Sequence, residues 1–198
     1  MNGTLDGTFW EARYLNGTDG WDLGAPSTPL KTFIEGLTDK DLRILIPGCG
    51  RAWEGQLLHR LGFRNVWLMD LTGEPFKDVL RQCPDFPQEH LLTGDFFAHS
   101  GSYDLILEQT FFCALDPALR GAYVRKMHEL LAPGGRLVGV LFDDPQPGKD
   151  PNEPPFGGSP KEYQDLFAAT FPQVTIEPCH NSIPPRAGRE VWIDVRKA

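Results

Sequence analysis

From about residue 42 onward, apolar and polar positions alternate in a way that separates short strands from amphipathic helices. Residues 42–47, LRILIP, form a short apolar run that ends in Gly48-Cys49-Gly50, which predicts a buried strand entering a tight turn. Trp53, Leu57, Leu58 and Leu61 then recur at helical spacing, with Gly62 closing the helix. Residues 66–70, VWLMD, predict a second strand ending on an acid. A short helix is expected at 75–82, before Pro84 and Pro87 break the chain. Residues 90–93 predict a third strand and residues 103–107, YDLIL, a fourth. Asp116-Pro117 opens a helix: Asp caps free N–H groups, and Pro at the first helical position gives up no bonded N–H. Leu119, Tyr123, Met127, Leu130 and Leu131 are its buried stripe, and Pro133-Gly134-Gly135 its end. Residues 136–142, RLVGVLF, predict a fifth strand. Ser159-Pro160-Lys161-Glu162 predicts a capping box, with Tyr163, Leu166, Phe167 and Phe171 on the apolar face behind it. Late strands are expected at 174–177 and 190–195.

Strands alternating with helices from about residue 42 to 171 demand an α/β fold, a mostly parallel sheet with helices on both faces. No repeat or internal boundary divides the chain, so residues 1–198 are expected to form one domain. Residues 1–30 lie outside the alternation yet carry Trp10, Tyr14 and Trp21. That much aromatic surface predicts a segment folded over the ligand edge of a core spanning 31–198. Residues 143–158 hold five prolines and three glycines and predict a functional loop, with Asp143-Asp144 at the ligand edge.

Composition narrows the function. The 198 residues carry 19 basic against 27 acidic side chains, net −8, with no basic stripe, so nucleic acid is not an expected partner. No apolar run approaches the roughly 18 residues needed to span a bilayer, and no membrane partner is expected. The N-terminus lacks a basic start followed by an apolar stretch. Cys49, Cys83, Cys113 and Cys179 are scattered, so reduced thiols in a cytoplasmic setting are expected. The histidines and cysteines show no paired ligand spacing, so no metal site is expected, and no G-x-S-x-G hydrolase elbow occurs. The expected substrate is a small molecule.

The candidate chemistry lies at the strand ends, where doubly wound sheets bind ligands. Glycines at Gly48 and Gly50 let a ligand approach the backbone, and the helix beyond offers free N–H groups. Asp70, about twenty residues on, stands where an acid accepts from the two hydroxyls of an adenosine ribose. Asp95 is placed to accept from an adenine amino group, and Phe96 to pack on the ring. Phe111-Phe112, after the fourth strand, would form an aromatic wall, which suits a sulfonium cation. These features favour an adenosine cofactor without separating a nicotinamide dinucleotide, serving an oxidoreductase, from S-adenosylmethionine. A protein that binds S-adenosylmethionine without turnover also stays open.

Taken together, FWEARY, GWDLGAPSTPL, ILIPGCG, VWLMD, GDFF, YDLILEQTFFCAL, LRGAYVRKMHELLAPGGRLVGVLF, EPPFGGSPKEY and IPPRAGRE resemble, in order, the motifs of class I S-adenosylmethionine-dependent methyltransferases of the thiopurine S-methyltransferase superfamily. The halide/thiol methyltransferase branch is the nearer match, and the likeness spans nearly the whole chain. The resemblance implies a Rossmann-like, seven-stranded sheet whose last strand is antiparallel. It implies methyl transfer from S-adenosylmethionine to a soft nucleophile such as a thiol, halide or thiopurine, with S-adenosylhomocysteine as product. It places Trp10 and Trp21 over the cofactor, Gly48, Gly50 and Asp70 at its amino-acid and ribose parts, and Asp95 with Phe96 at the adenine. Gln109, also on the cofactor side, stands where the thiopurine branch has Arg and some halide/thiol enzymes Tyr. Tyr14 stands where a second Trp is common. Tyr14, Phe111, Phe112, Phe156 and Arg186 are the expected acceptor pocket. No residue is nominated as a general base.

Overall fold

Ile44–Pro47 (β1) is buried at all four positions because it has a parallel neighbour on each side, Val66–Asp70 (β2) and Tyr103–Gln109 (β4). The computed structural model describes residues 5–143, 150 and 152–198; Asp144 and the middle of the proline-rich loop lie outside them. Leu91–Thr93 (β3) extends the sheet beyond β2, and Leu131–Phe142 (β5) extends it beyond β4. Glu190–Arg196 (β7) pairs antiparallel with β5 and with Gln173–Pro178 (β6). The order β3-β2-β1-β4-β5-β7-β6 is the expected seven-stranded, mostly parallel sheet with an antiparallel last strand. The chain reverses its direction of winding between β1 and β4, so the ligand crevice belongs above their carboxyl ends.

Helices cover both faces. Thr28–Glu35 (α2), Trp53–Arg60 (α3) and Glu74–Gln82 (α4) bury Leu30, Ile34, Leu58 and Val79 against one face. Arg120–Leu130 (α5) and Pro160–Ala168 (α6) bury Tyr123, Met127, Tyr163 and Phe167 against the other. Ser159 caps α6 as expected, its Oγ accepting the Glu162 N–H at 3.3 Å.

Three local expectations change. Asp116 accepts the Ala118 N–H at 2.8 Å, but the turn it opens is a tight 3₁₀ turn, and α5 begins only at Arg120. Pro133-Gly134-Gly135 is not a helix stop. α5 ends at Leu130, and these residues form a bulge inside β5, where pairing jumps from Tyr103–Leu131 to Leu105–Arg136 and Gly134 takes φ +75°. A helix, Gly7–Leu15 (α1), lies in the N-terminal segment. None of its residues is fully buried, so it leaves no apolar stripe for sequence periodicity to find.

Candidate active site

The turn after β1 takes left-handed conformations at alternate residues: φ is +55° at Gly48, +51° at Gly50 and +52° at Ala52. Glycine is required at 48, because a Cβ there would lie 2.2 Å from Cδ2 of Phe111. The Gly50 N–H donates to Oδ2 of Asp70 at 3.1 Å, so the end of β2 braces the glycine turn. The Thr72 N–H donates to the other Asp70 oxygen at 3.3 Å. Asp70 is only 7% exposed, and burial pushes its carboxyl up to about 6 against the opposing pull of these donors.

The Tyr14 hydroxyl also reaches Oδ2 of Asp70, at 3.4 Å. Tyr14, expected in the acceptor pocket, therefore stands beside the buried Asp70, held there by edge-on packing on Trp21 at 5.6 Å. Burial and the Asp70 charge raise its phenol far above the ordinary value, so the hydroxyl remains a donor. Trp21 packs edge-on to Trp10 at 5.3 Å. The segment is anchored at two further points. The Ser27 N–H donates to Oε1 of Glu54 at 2.7 Å, and Nη2 of Arg186 donates to the Trp21 carbonyl at 3.0 Å. The sequence places Arg186 in the acceptor pocket. Instead it is 8% exposed, paired with Glu190 at 3.3 Å, and serves as a tie between the late loop and the N-terminal segment.

At the end of β4, Gln109 and Thr110 line a narrow cleft together with Trp21, Gly48, Gly50 and Glu54. The Gln109 Oε1 atom is buried there and has no hydrogen-bond partner among the described residues. Thr110 takes φ +61°, and this sharp turn sends the next two side chains in different directions. Phe111 lies over Gly48, edge-on to Phe96 at 5.2 Å. Phe112 is wholly buried among Tyr123, Tyr163 and Phe167, so it belongs to the core and not to the acceptor wall. Phe96 is 5% exposed, its ring taken up by Phe97, Phe111 and Tyr123, which leaves little face for an adenine. The exposed Asp95 uses one oxygen to accept the Phe97 N–H at 2.9 Å. Phe156 is half-buried beside this region, its N–H donating to the Cys113 carbonyl at 2.6 Å.

Glu108, to which the sequence assigns no role, is buried near the end of β4. Its carboxylate accepts the Phe112 N–H at 3.0 Å and the Tyr123 hydroxyl at 2.5 Å, and burial pushes it up to about 7. The one available signal was an acid at an inward position of the apolar strand YDLILEQ.

These residues fit an adenosine cofactor with an amino-acid tail. The glycine turn admits a ligand to the backbone, and Asp70, which accepts from the Gly50 and Thr72 N–H groups and the Tyr14 hydroxyl, keeps acceptor capacity for a ribose hydroxyl. Among the described residues the Gln109 oxygen has no donor, and an ammonium group supplies one.

The model of the thiopurine S-methyltransferase (TPMT) family matches residues 5–192. The probable thiol methyltransferase 2 of Arabidopsis thaliana is 29% identical over 188 residues, covering 91% of this chain and 81% of that protein. The thiopurine S-methyltransferase of Vibrio vulnificus is 28% identical over 179 residues, covering 82% of each. The Burkholderia thailandensis 1,6-didemethyltoxoflavin-N1-methyltransferase was crystallised with 1,6-didemethyltoxoflavin and S-adenosylhomocysteine. It shares the fold at a TM-score of 0.73 and 20% identity, covering 97% of this chain and 87% of that one.

Proposed function

The chain belongs to the thiopurine S-methyltransferase family, and from that premise we propose that its methyl acceptor is a small soft anion, a thiolate in the first place. The enzyme is an S-adenosylmethionine-dependent methyltransferase. Membership sets aside the nicotinamide alternative that the glycine turn and Asp70 left open.

When bound, the cofactor supplies a methyl group on a sulfonium whose sulfur leaves as a neutral thioether, S-adenosylhomocysteine, so the leaving group needs no proton. Asp70 accepts from the ribose hydroxyls, and the Gln109 amide oxygen accepts from the amino-acid tail. Tyr14 and Trp21 lie over Gly50, Trp10 packs behind Trp21, and together they exclude water. Phe111 and Phe156 flank the acceptor, and Asp95 reaches the adenine edge with its remaining oxygen. Rate comes from alignment at a near-attack distance in a dry site.

The single observation behind the choice of acceptor is that the acids around the cleft already have partners. Glu54 accepts from Ser27, Asp22 accepts the Trp53 indole N–H at 2.6 Å, and Asp70 braces the turn. No histidine lines the cleft. Among the described residues that line the cleft no histidine and no unpartnered acid stands ready as a base, which favours an acceptor that arrives ionised. The four cysteines are free thiols, in keeping with a cytoplasmic setting, and no described helix is long and apolar enough to cross a membrane. The net charge of −8 supports a small-molecule partner over nucleic acid.

The test is a series of thiols differing in pKa. For each, kcat/KM should rise about tenfold per pH unit and level off at that thiol's own pKa, because the thiolate fraction sets the rate. Iodide, with no proton to lose, should give a flat profile. A common break near pH 7 for every acceptor would refute the proposal and point to Glu108, the buried acid that titrates there.

A further inference from the structure

Arg51 lies inside the cofactor turn, between the left-handed Gly50 and Ala52, and its side chain leaves the turn to meet three carboxylates. Nη2 pairs with Asp19 at 2.6 Å, Nε with Asp22 at 3.2 Å, and Nη1 with Asp78. Asp19 and Asp22 flank Trp21 in the loop between α1 and α2, whereas Asp78 belongs to α4. The carboxylates are 11–22% exposed, so solvent screens these pairs less than surface pairs. The two sides differ in their dependence on Arg51. Asp78 has a second cation, Arg81, at 2.8 Å. Asp19 and Asp22 have Arg51 as their cation among the described ion pairs, with hydrogen bonds to Asp22 from Trp53 and from the Gly24 N–H.

We propose that Arg51 is a positioning residue that couples docking of the N-terminal segment to the shape of the cofactor turn. This rests on the reading that the segment covers the cofactor. Pulled outward by Asp19 and Asp22, the Arg51 side chain holds its peptide between two left-handed residues. One of them, Ala52, has a Cβ that disfavours that conformation. A docked segment therefore presents a turn already shaped for the cofactor. By linkage, a bound cofactor that holds the turn favours the docked segment to the same extent. The four side chains sit outside the reacting atoms, so the coupling acts on cofactor affinity and closure.

The test uses the purified full chain and S-adenosylhomocysteine, with calorimetry for affinity and trypsin cleavage after Arg13 for closure. Arg51→Met should weaken binding about tenfold, the loss expected for a partly buried ion-pair cluster. It should also leave the Arg13 site open at saturating ligand, where the wild type is protected. In turnover assays KM for S-adenosylmethionine should rise, with kcat at saturation within about twofold. Arg51→Lys should restore part of the affinity, since one ammonium cannot span three carboxylates as a guanidinium does. The double variant Asp19→Asn/Asp22→Asn leaves the turn sequence intact. It should reproduce the loss and add little to Arg51→Met, and it decides the matter even if Arg51→Met fails to fold. Unchanged affinity and protection in Arg51→Met would overturn the proposal. So would a double variant that binds like wild type or adds its loss in full, since Arg51 would then serve only α3 and α4 through Asp78. A wild-type chain that does not bind S-adenosylhomocysteine would instead overturn the cofactor reading on which the proposal rests.

Discussion

Replacing Asp70 with Asn should do two opposite things: stabilise the fold without cofactor and weaken cofactor binding. The carboxyl is raised from 3.8 to about 6, chiefly by burial. Between those values the folded chain holds a proton that the unfolded chain releases. This group's contribution to stability therefore falls as pH rises from about 4 to 6 and is constant above. At pH 7 the whole cost applies, about 3 kcal/mol for a difference of this size. Asn avoids it. Its amide NH₂ must, however, face either the Gly50 or the Thr72 N–H, which now donate to the two carboxylate oxygens, at a loss of about 1–2 kcal/mol. The net expectation is a variant about 1–2 kcal/mol more stable than wild type at pH 7, with the advantage gone at pH 4. Losing a charged acceptor for ribose hydroxyls should cost about 1.5–3 kcal/mol of affinity, or about 10- to 150-fold in Kd. Urea unfolding at pH 4 and 7, and calorimetric titration with S-adenosylhomocysteine from pH 5 to 8, measure both. Wild-type affinity should fall about tenfold per pH unit below about 6, as the carboxylate is protonated, while the variant stays flat. A variant destabilised at pH 7 that binds the ligand like wild type, or a flat wild-type profile, would refute the reasoning.

Two further outcomes check the placement of individual rings. Phe112→Ala should cost about 3–5 kcal/mol of unfolding free energy by denaturant titration, the price of an emptied core site; an unchanged stability with a raised acceptor KM would return Phe112 to the pocket wall. Tyr14→Phe should keep Kd for S-adenosylhomocysteine within about threefold, because the 3.4 Å contact to Asp70 is long for an O–H donor, whereas Tyr14→Ala, which also loses the packing on Trp21, should weaken it more; equal losses would show that the hydroxyl carries the effect.

Gly48, Gly50 and Asp70 were legible as a set because a strand, a turn, a helix and a second strand have nearly fixed lengths. An acid about twenty residues past the turn therefore returns to the same sheet edge. The mostly parallel sheet followed from the same regularity, with the antiparallel β7 anticipated through the family likeness, whereas the strand order came from the tertiary structure. Other features depended on what lies opposite a residue. α1 was invisible because its partners sit on a ligand edge that buries none of its residues fully. Phe111 and Phe112 are identical in composition and adjacent in sequence. Only the left-handed turn at Thr110 and the bond from Phe112 to Glu108 send one ring over the cleft and the other into the core. Tyr14 and Arg186 were chemically conspicuous and Arg51 was not, and the partners of all three, Asp70, the Trp21 carbonyl and Asp19, lie 56, 165 and 32 residues away. Periodicity records which face of an element is buried. The choice of partner for a polar group is made when distant segments are brought to one place and leave it a single way to satisfy its hydrogen bonds.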